Sequence, residues 1–163
     1  MQEITTTTQR GIPTAINIDH YGYVVPDLDQ AVAFFTDVLG FELLSLDDPI
    51  TFSDDSLARW YHVHPRASAR FAFVRYGPAI VELTEWQAPD QNTLPPSNSD
   101  LGGRHFAIAV TDVDAAIAYL AAQPGVTVFE RSVWNFVYFT TPWGMTLQVV
   151  QPLASSDTGA SEA

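Results

Sequence analysis

The chain has 163 residues, a mass of 17.9 kDa, a net charge of -12 at neutral pH and no cysteine. That charge repels a phosphate backbone, which argues against nucleic acid as a partner, and the missing cysteines exclude disulfides, thiolate metal sites and cysteine nucleophiles. No apolar run approaches the roughly 18 residues of a membrane span, and the start MQEITTTT lacks the basic and apolar regions of a signal peptide, so a soluble cytoplasmic protein is expected.

In chain order, residues 1–13 are polar and Thr-rich and read as a disordered tail. The alternation Tyr21, Tyr23, Val25 predicts a strand whose large side chains face a helix. Asp27 is placed to cap that helix, Asp29 lies where the helix dipole favours negative charge, and the pattern runs from Leu28 to Val38 with Val32, Phe34, Phe35 and Val38 as its buried stripe. Gly40 closes it. Between Leu44 and Arg70 the segment SDDSLARWYHVH, Ser53 to His64, reads as a short capped helix, and a hairpin around Gly77-Pro78 follows. Residues 89–101 read as a linker. A second strand (Phe106, Ile108, Val110), an Asp112-capped helix from Val113 to Ala122 with Ile117 and Leu120 inside, Gly125 and a second hairpin complete the pattern, and residues 153–163 read as a tail.

These elements are one unit written twice. A shift of 85 lays Asp19–Leu43 over Arg104–Val128 without a gap, matching His20 with His105, Asp27 with Asp112 and Gly40 with Gly125. The hairpins match at a shift of 66, Ala72 to Leu83 over Tyr138 to Val149, with the turn glycine moving by one. The change of shift gives the first copy about 19 extra residues. The prediction is an α+β protein, with modules at 14–88 and 102–152 inside a single domain 14–152.

Strand alternation assigns the polar residues. If Tyr21, Tyr23, Val25, Val81 and Leu83 face the helix, then His20, Gly22 and Glu82 face away from it, and the second copy repeats this with His105, Ala107 and Gln148. A wet antiparallel face normally carries many polar side chains. Here one His and one Glu or Gln stand among small or apolar neighbours, at the same place in both copies.

The stretches DHYGYVVPDLDQAVAFFTDVLGFELL, AIVELTEW, GGRHFAIAVTDVDAAIAYL and TPWGMTLQVVQP resemble the signature segments of the vicinal oxygen chelate superfamily, which includes glyoxalase I, methylmalonyl-CoA epimerase, extradiol dioxygenases, fosfomycin-resistance enzymes and bleomycin-binding proteins. The resemblance covers roughly Ile16 to Pro152. It implies two tandem βαβββ modules forming an open half-barrel, with His20, Glu82, His105 and Gln148 as ligands of one divalent ion: zinc, nickel, cobalt, iron or manganese. Position 148 departs from the commoner Glu, and an amide can ligate through oxygen without serving as a base.

The activity implied is proton transfer next to a carbonyl, as in an epimerase, isomerase or lyase acting on a small-molecule carbonyl substrate. Glu82 is the expected base, with His62 and His64 as candidates for a second proton carrier. Trp60, Trp134, Tyr138 and Trp143 are candidates to line the substrate site, or else belong to the core. Two further readings stay open: an oxygen-activating extradiol-type dioxygenase, for which His20, His105 and one carboxylate would hold ferrous iron, and a non-catalytic drug-binding resistance protein. Half-open sheets with free edges predict a homodimer.

Overall fold

A capping aspartate organises each half of the molecule. In the computed structural model, which describes residues 12–50 and 55–152, Asp27 and Asp112 both have extended backbone and turn their carboxylates onto the free N–H groups of the helix that follows. Asp27 accepts from Gln30 N at 2.8 Å, and Asp112 from Asp114 N and Ala115 N, both at 3.0 Å.

Strand β1 (Tyr21–Val24) leads into α1 (Leu28–Ala33), whose last turn, Phe34–Val38, widens into a π-helix before Gly40, at φ +75°, releases the chain. Strand β2 (Glu42–Leu46), helix α2 (Ser56–Tyr61), β3 (Ser68–Tyr76) and β4 (Ala79–Gln87) complete module 1. Module 2 comprises β5 (Ala107–Ala109), α3 (Val113–Ala121), β6 (Thr127–Val128), β7 (Phe136–Thr140) and β8 (Thr146–Val150). Apart from α2 each module is βαβββ, and the fold is α+β with two modules, as the sequence predicts. The chain divides into two compact units between Pro89 and Asp90.

Each module has its own four-stranded mixed sheet, in the order β1-β4-β3-β2 or β5-β8-β7-β6. The first strand runs parallel to the last and the others pair antiparallel. One side of each sheet packs on its helix: Leu28, Phe35, Val74 and Leu83 are fully buried in module 1, and Val137, Phe139 and Leu147 in module 2. Burial of this kind stabilises by about 1.5–3 kcal/mol per large aliphatic side chain. A second acceptor ties sheet to helix. Glu85 Oε2, just past the middle of β4, accepts from Leu28 N at 3.0 Å, and Gln151 Oε1, just after β8, accepts from Val113 N at 3.1 Å.

Two expectations change, the burial of three side chains and the register of the hairpins. Tyr21 is half exposed because β1 lies at the sheet edge, and Val38 and Ile117 are only half buried. The hairpins do not superpose at a single shift of 66. Phe73 pairs with Glu82 whereas Tyr138 pairs with Gln148, so the β7–β8 connection is one residue longer and Tyr138 corresponds to Phe73 rather than to Ala72. A slip of one residue changes the face of the sheet, and Ala72 is fully buried on the helix side. Helix α2 is present, but Ser53 lies outside the described residues, as do most of the two expected tails. Among the described residues no helix is long and apolar enough to cross a membrane.

Candidate functional site

The register delivers the predicted side chains in two groups. In module 1, Gly22 is the partner of Glu82 in the parallel β1/β4 ladder and His20 stands two positions earlier on the same face. His20 Nε2 lies 3.5 Å from Glu82 Oε2, and both side chains are partly open to solvent. Its other nitrogen, Nδ1, is 2.9 Å from Asp19 Oδ2. A carboxylate at Nδ1 favours the tautomer with the proton there, leaving the Nε2 lone pair turned towards Glu82. Phe73, the antiparallel partner of Glu82, meets the His20 ring edge-on at 5.6 Å.

Gly22 makes room for this arrangement, because a Cβ at that position would come within 3.3 Å of Glu82 Oε2. Two donors about 2.1 Å from one tetrahedral ion stand roughly 3.4 Å apart. The His20–Glu82 spacing matches that edge, and the nitrogen and oxygen donors suit a borderline divalent ion. On donor chemistry, spacing and the cradle at Gly22, the module 1 pair fits such an ion.

In module 2, Ala107 is the partner of Gln148 and His105 stands two positions earlier on the same face. Tyr138, the partner of Gln148 on its other side, crosses the His105 ring at 90° with centroids 4.8 Å apart, and its hydroxyl lies 3.2 Å from His105 Nε2. Trp134, Phe136 and Tyr138 form a row of ring contacts, 6.3 and 5.6 Å between centroids, that ends at His105. Among the described residues no group of three or more His, Cys, Asp or Glu side chains is gathered to hold a metal. The histidines and their oxygen partners are described as two pairs.

The insert residues are placed differently. Tyr61, the last residue of α2, packs against Phe71 and Trp86 at 5.9 and 5.3 Å. Both lie on the Glu82 face of the sheet, and the contact begins about 7 Å along the strand from Glu82. His62 is exposed, in left-handed backbone at the end of α2. His64 Nδ1 accepts from Arg66 N at 3.0 Å and helps shape the turn into β3, at the Gln87 end of β4. Trp60 is largely exposed, and Trp143 sits half buried in the β7–β8 connection.

Away from this face, Arg70 forks onto both carboxylate oxygens of Asp29 at 3.0 Å, which holds the Asp29 carboxyl below its ordinary value and raises that of Arg70. Three contributors to the site were not singled out from sequence. Asp19 was signalled only by standing next to His20, Tyr61 by the insert, and the partnership of Phe73 with Glu82 was hidden by the hairpin slip.

Residues 17–149 match the family model of the Glyoxalase/Bleomycin resistance protein/Dioxygenase superfamily. The chain is 46% identical to a 2-epi-5-epi-valiolone epimerase from Actinomyces sp, over 88% of this chain and 83% of that protein. Among solved structures, it resembles a glyoxalase family protein from Bacillus cereus at TM-score 0.69 and 17% identity, covering 88% of this chain and 100% of the other. It also resembles the fosfomycin resistance protein FosX from Listeria monocytogenes, solved with Mn(II) and 1S,2S-dihydroxypropylphosphonic acid, at TM-score 0.61 and 16% identity, covering 84% and 93%.

Proposed function

The chain belongs to the Glyoxalase/Bleomycin resistance protein/Dioxygenase superfamily, and from that premise we propose that it is an epimerase that moves the proton on the carbon next to a ketone, with 2-epi-5-epi-valiolone as the substrate to try first. The observation that carries the reading is the pair His20–Glu82, 3.5 Å apart over Gly22. The 46% identity to the Actinomyces sp epimerase, over most of both chains, supports epimerisation over the other reactions of the superfamily.

In this reading His20, Glu82, His105 and Gln148 hold one divalent ion. When bound, the ion supplies Lewis-acid polarisation of the substrate carbonyl, worth several kcal/mol of barrier. Asp19 keeps His20 in the ligating tautomer, and Gly22 leaves the Glu82 carboxylate free to turn towards the substrate. Glu82 takes the proton from the carbon next to the carbonyl, since Gln148 has no carboxylate with which to do so. His64 already has Nδ1 engaged by the Arg66 amide and His62 ends a surface helix, so no proton step is assigned to either.

Glu82→Gln tests this directly. It retains an oxygen ligand, so metal content by elemental analysis should stay near that of the parent protein, while interconversion of the epimers falls by about 100- to 10,000-fold. His20→Ala and His105→Ala should each lose most of the metal with circular dichroism unchanged. Full metal content in both histidine variants, or near-normal turnover in Glu82→Gln, would remove the assignment.

A further inference from the structure

A base at Glu82 determines what happens at one carbon and leaves open which molecules can bring that carbon to it. Resting on the epimerase reading above, we propose that Tyr61 is a specificity-determining residue: its ring walls off the α2 side of the Glu82 face, so the site takes a compact single-ring ketone and refuses one extended on that side.

The insert is built as a cover for this face. Leu57 and Tyr61 are four residues apart on α2 and so lie on one stripe of the helix. Leu57 is buried, and Tyr61 packs on Phe71 and Trp86, which also meet each other edge-on at 5.9 Å. Each of the three rings touches the other two, which fixes the position and tilt of Tyr61 more firmly than one contact would. The helix stops directly after it, because His62 takes left-handed backbone at φ +54°. Module 2 joins the corresponding strands, β6 and β7, without a helix, so the cover belongs to the half that carries the carboxylate.

The cover stops short of the carboxylate. In the β3/β4 ladder Ala69 pairs with Trp86, Phe71 with Thr84 and Phe73 with Glu82, and these side chains share one face of the sheet. Ala69, Phe71 and Thr84 are buried, whereas Phe73 and Glu82 are half-buried and His20 is exposed. The face changes from covered to open between two successive pairs, about 7 Å apart along the strand. Tyr61 stands at that boundary and is itself 49% exposed, with part of its ring on Phe71 and Trp86 and the rest open to solvent. A molecule seated on the open part with one carbon at Glu82 has room for about one ring before it meets this edge.

Tyr61 acts by bulk. A ring pinned by two others is held against swinging aside, so every atom added to the substrate on that side meets a fixed surface, and one added carbon against such a surface changes kcat/KM by about 10- to 200-fold. The His20–Glu82 spacing does not depend on Tyr61, because Asp19, Gly22 and Phe73 are the residues that touch that pair. Shortening Tyr61 therefore changes which ketones are accepted and leaves the proton transfer with Glu82.

The test measures kcat/KM of the metal-loaded full chain for 2-epi-5-epi-valiolone and for its mono-O-methyl ethers, one hydroxyl blocked in each. The parent protein should discriminate against at least one ether by about 10-fold or more. Tyr61→Ala should shift the preference between that ether and the unmodified ketone by about 10-fold towards the ether, and Tyr61→Leu, which keeps an apolar contact with Phe71 and Trp86, should shift it in the same direction and decides the matter if the alanine variant does not fold. Tyr61→Phe, which keeps the ring, should leave the preference within a few-fold of the parent. Loss of activity in equal proportion across the whole series, as a purely structural role would give, or a parent that accepts every ether as well as the ketone, would overturn the proposal. If the parent protein interconverts neither the ketone nor any ether, the epimerase reading itself fails and takes this inference with it.

Discussion

The two modules have the same strand order, the same capped helix and the same acceptor on the first helical N–H, yet they treat charge differently. Module 1 has Glu at 82 and 85 where module 2 has Gln at 148 and 151. At the helix the exchange changes almost nothing, with acceptor distances of 3.0 and 3.1 Å. What that place requires is an oxygen in position. By the same logic, in the proposed function Gln148 would keep a ligand's place while giving up the base, which would put the chemical asymmetry in one carboxylate rather than in the fold. The site-bearing faces differ as well. In module 1 the Glu82 face is buried at the end near α2, through Ala69, Phe71 and Thr84, whereas the Gln148 face of β7 and β8 is half-buried throughout.

The largest test of this comparison moves the charge. The double variant Glu82→Gln/Gln148→Glu keeps the charge and the count of oxygen donors, and turnover should remain about 100- to 10,000-fold down because the base now belongs to the other half. Recovery to near the parent rate would show that the halves are interchangeable. Next comes Asp19→Ala, which frees the His20 tautomer and should weaken zinc or manganese binding by about 10- to 100-fold in a calorimetric titration. Gly22→Ala pushes a methyl group against the Glu82 carboxylate and should lower kcat several-fold with little change in melting temperature. Ala107→Gly, the mirror change, should leave kcat alone and destabilise by about 0.5–1 kcal/mol.

The smallest effect is the Asp29–Arg70 pair. Because the folded carboxyl titrates below its ordinary value, the unfolded chain binds more protons in acid, so this contribution is present above the ordinary aspartate range and is lost as pH falls through the lowered value. Arg70→Met should therefore lower the melting temperature slightly at pH 7 and make no difference at strongly acid pH, the exposed pair being screened by salt. An equal deficit at both pH values would place the loss in packing.

Much of this was legible in the chain because it is local. The Asp27 and Asp112 caps, the strand alternation and the shift of 85 follow from neighbouring residues, and together they placed His20, Glu82, His105 and Gln148 on the sheet faces they occupy. What sequence could not resolve was non-local. The extra residue in the β7–β8 connection decides whether Tyr138 mirrors Ala72 or Phe73, and only the pairing of two strands reveals it. The seating of Tyr61 on Phe71 and Trp86 needed the path of the insert. Trp60 and Trp134 stand largely in solvent, since aromatic character alone gives no direction.

The bond from Glu85 to the start of α1 also acts on a residue it never touches. Glu82 and Glu85 are three positions apart on one strand, so the register that turns Glu85 to the helix turns Glu82 to the opposite side. If β4 slid by one residue during folding, α1 would lose its acceptor and the carboxylate at 82 would be driven into the apolar layer, two penalties from a single mistake. The helix thus proofreads the alignment of the strand that carries the proposed base, and Gln151 does the same for Gln148 with no charge at all.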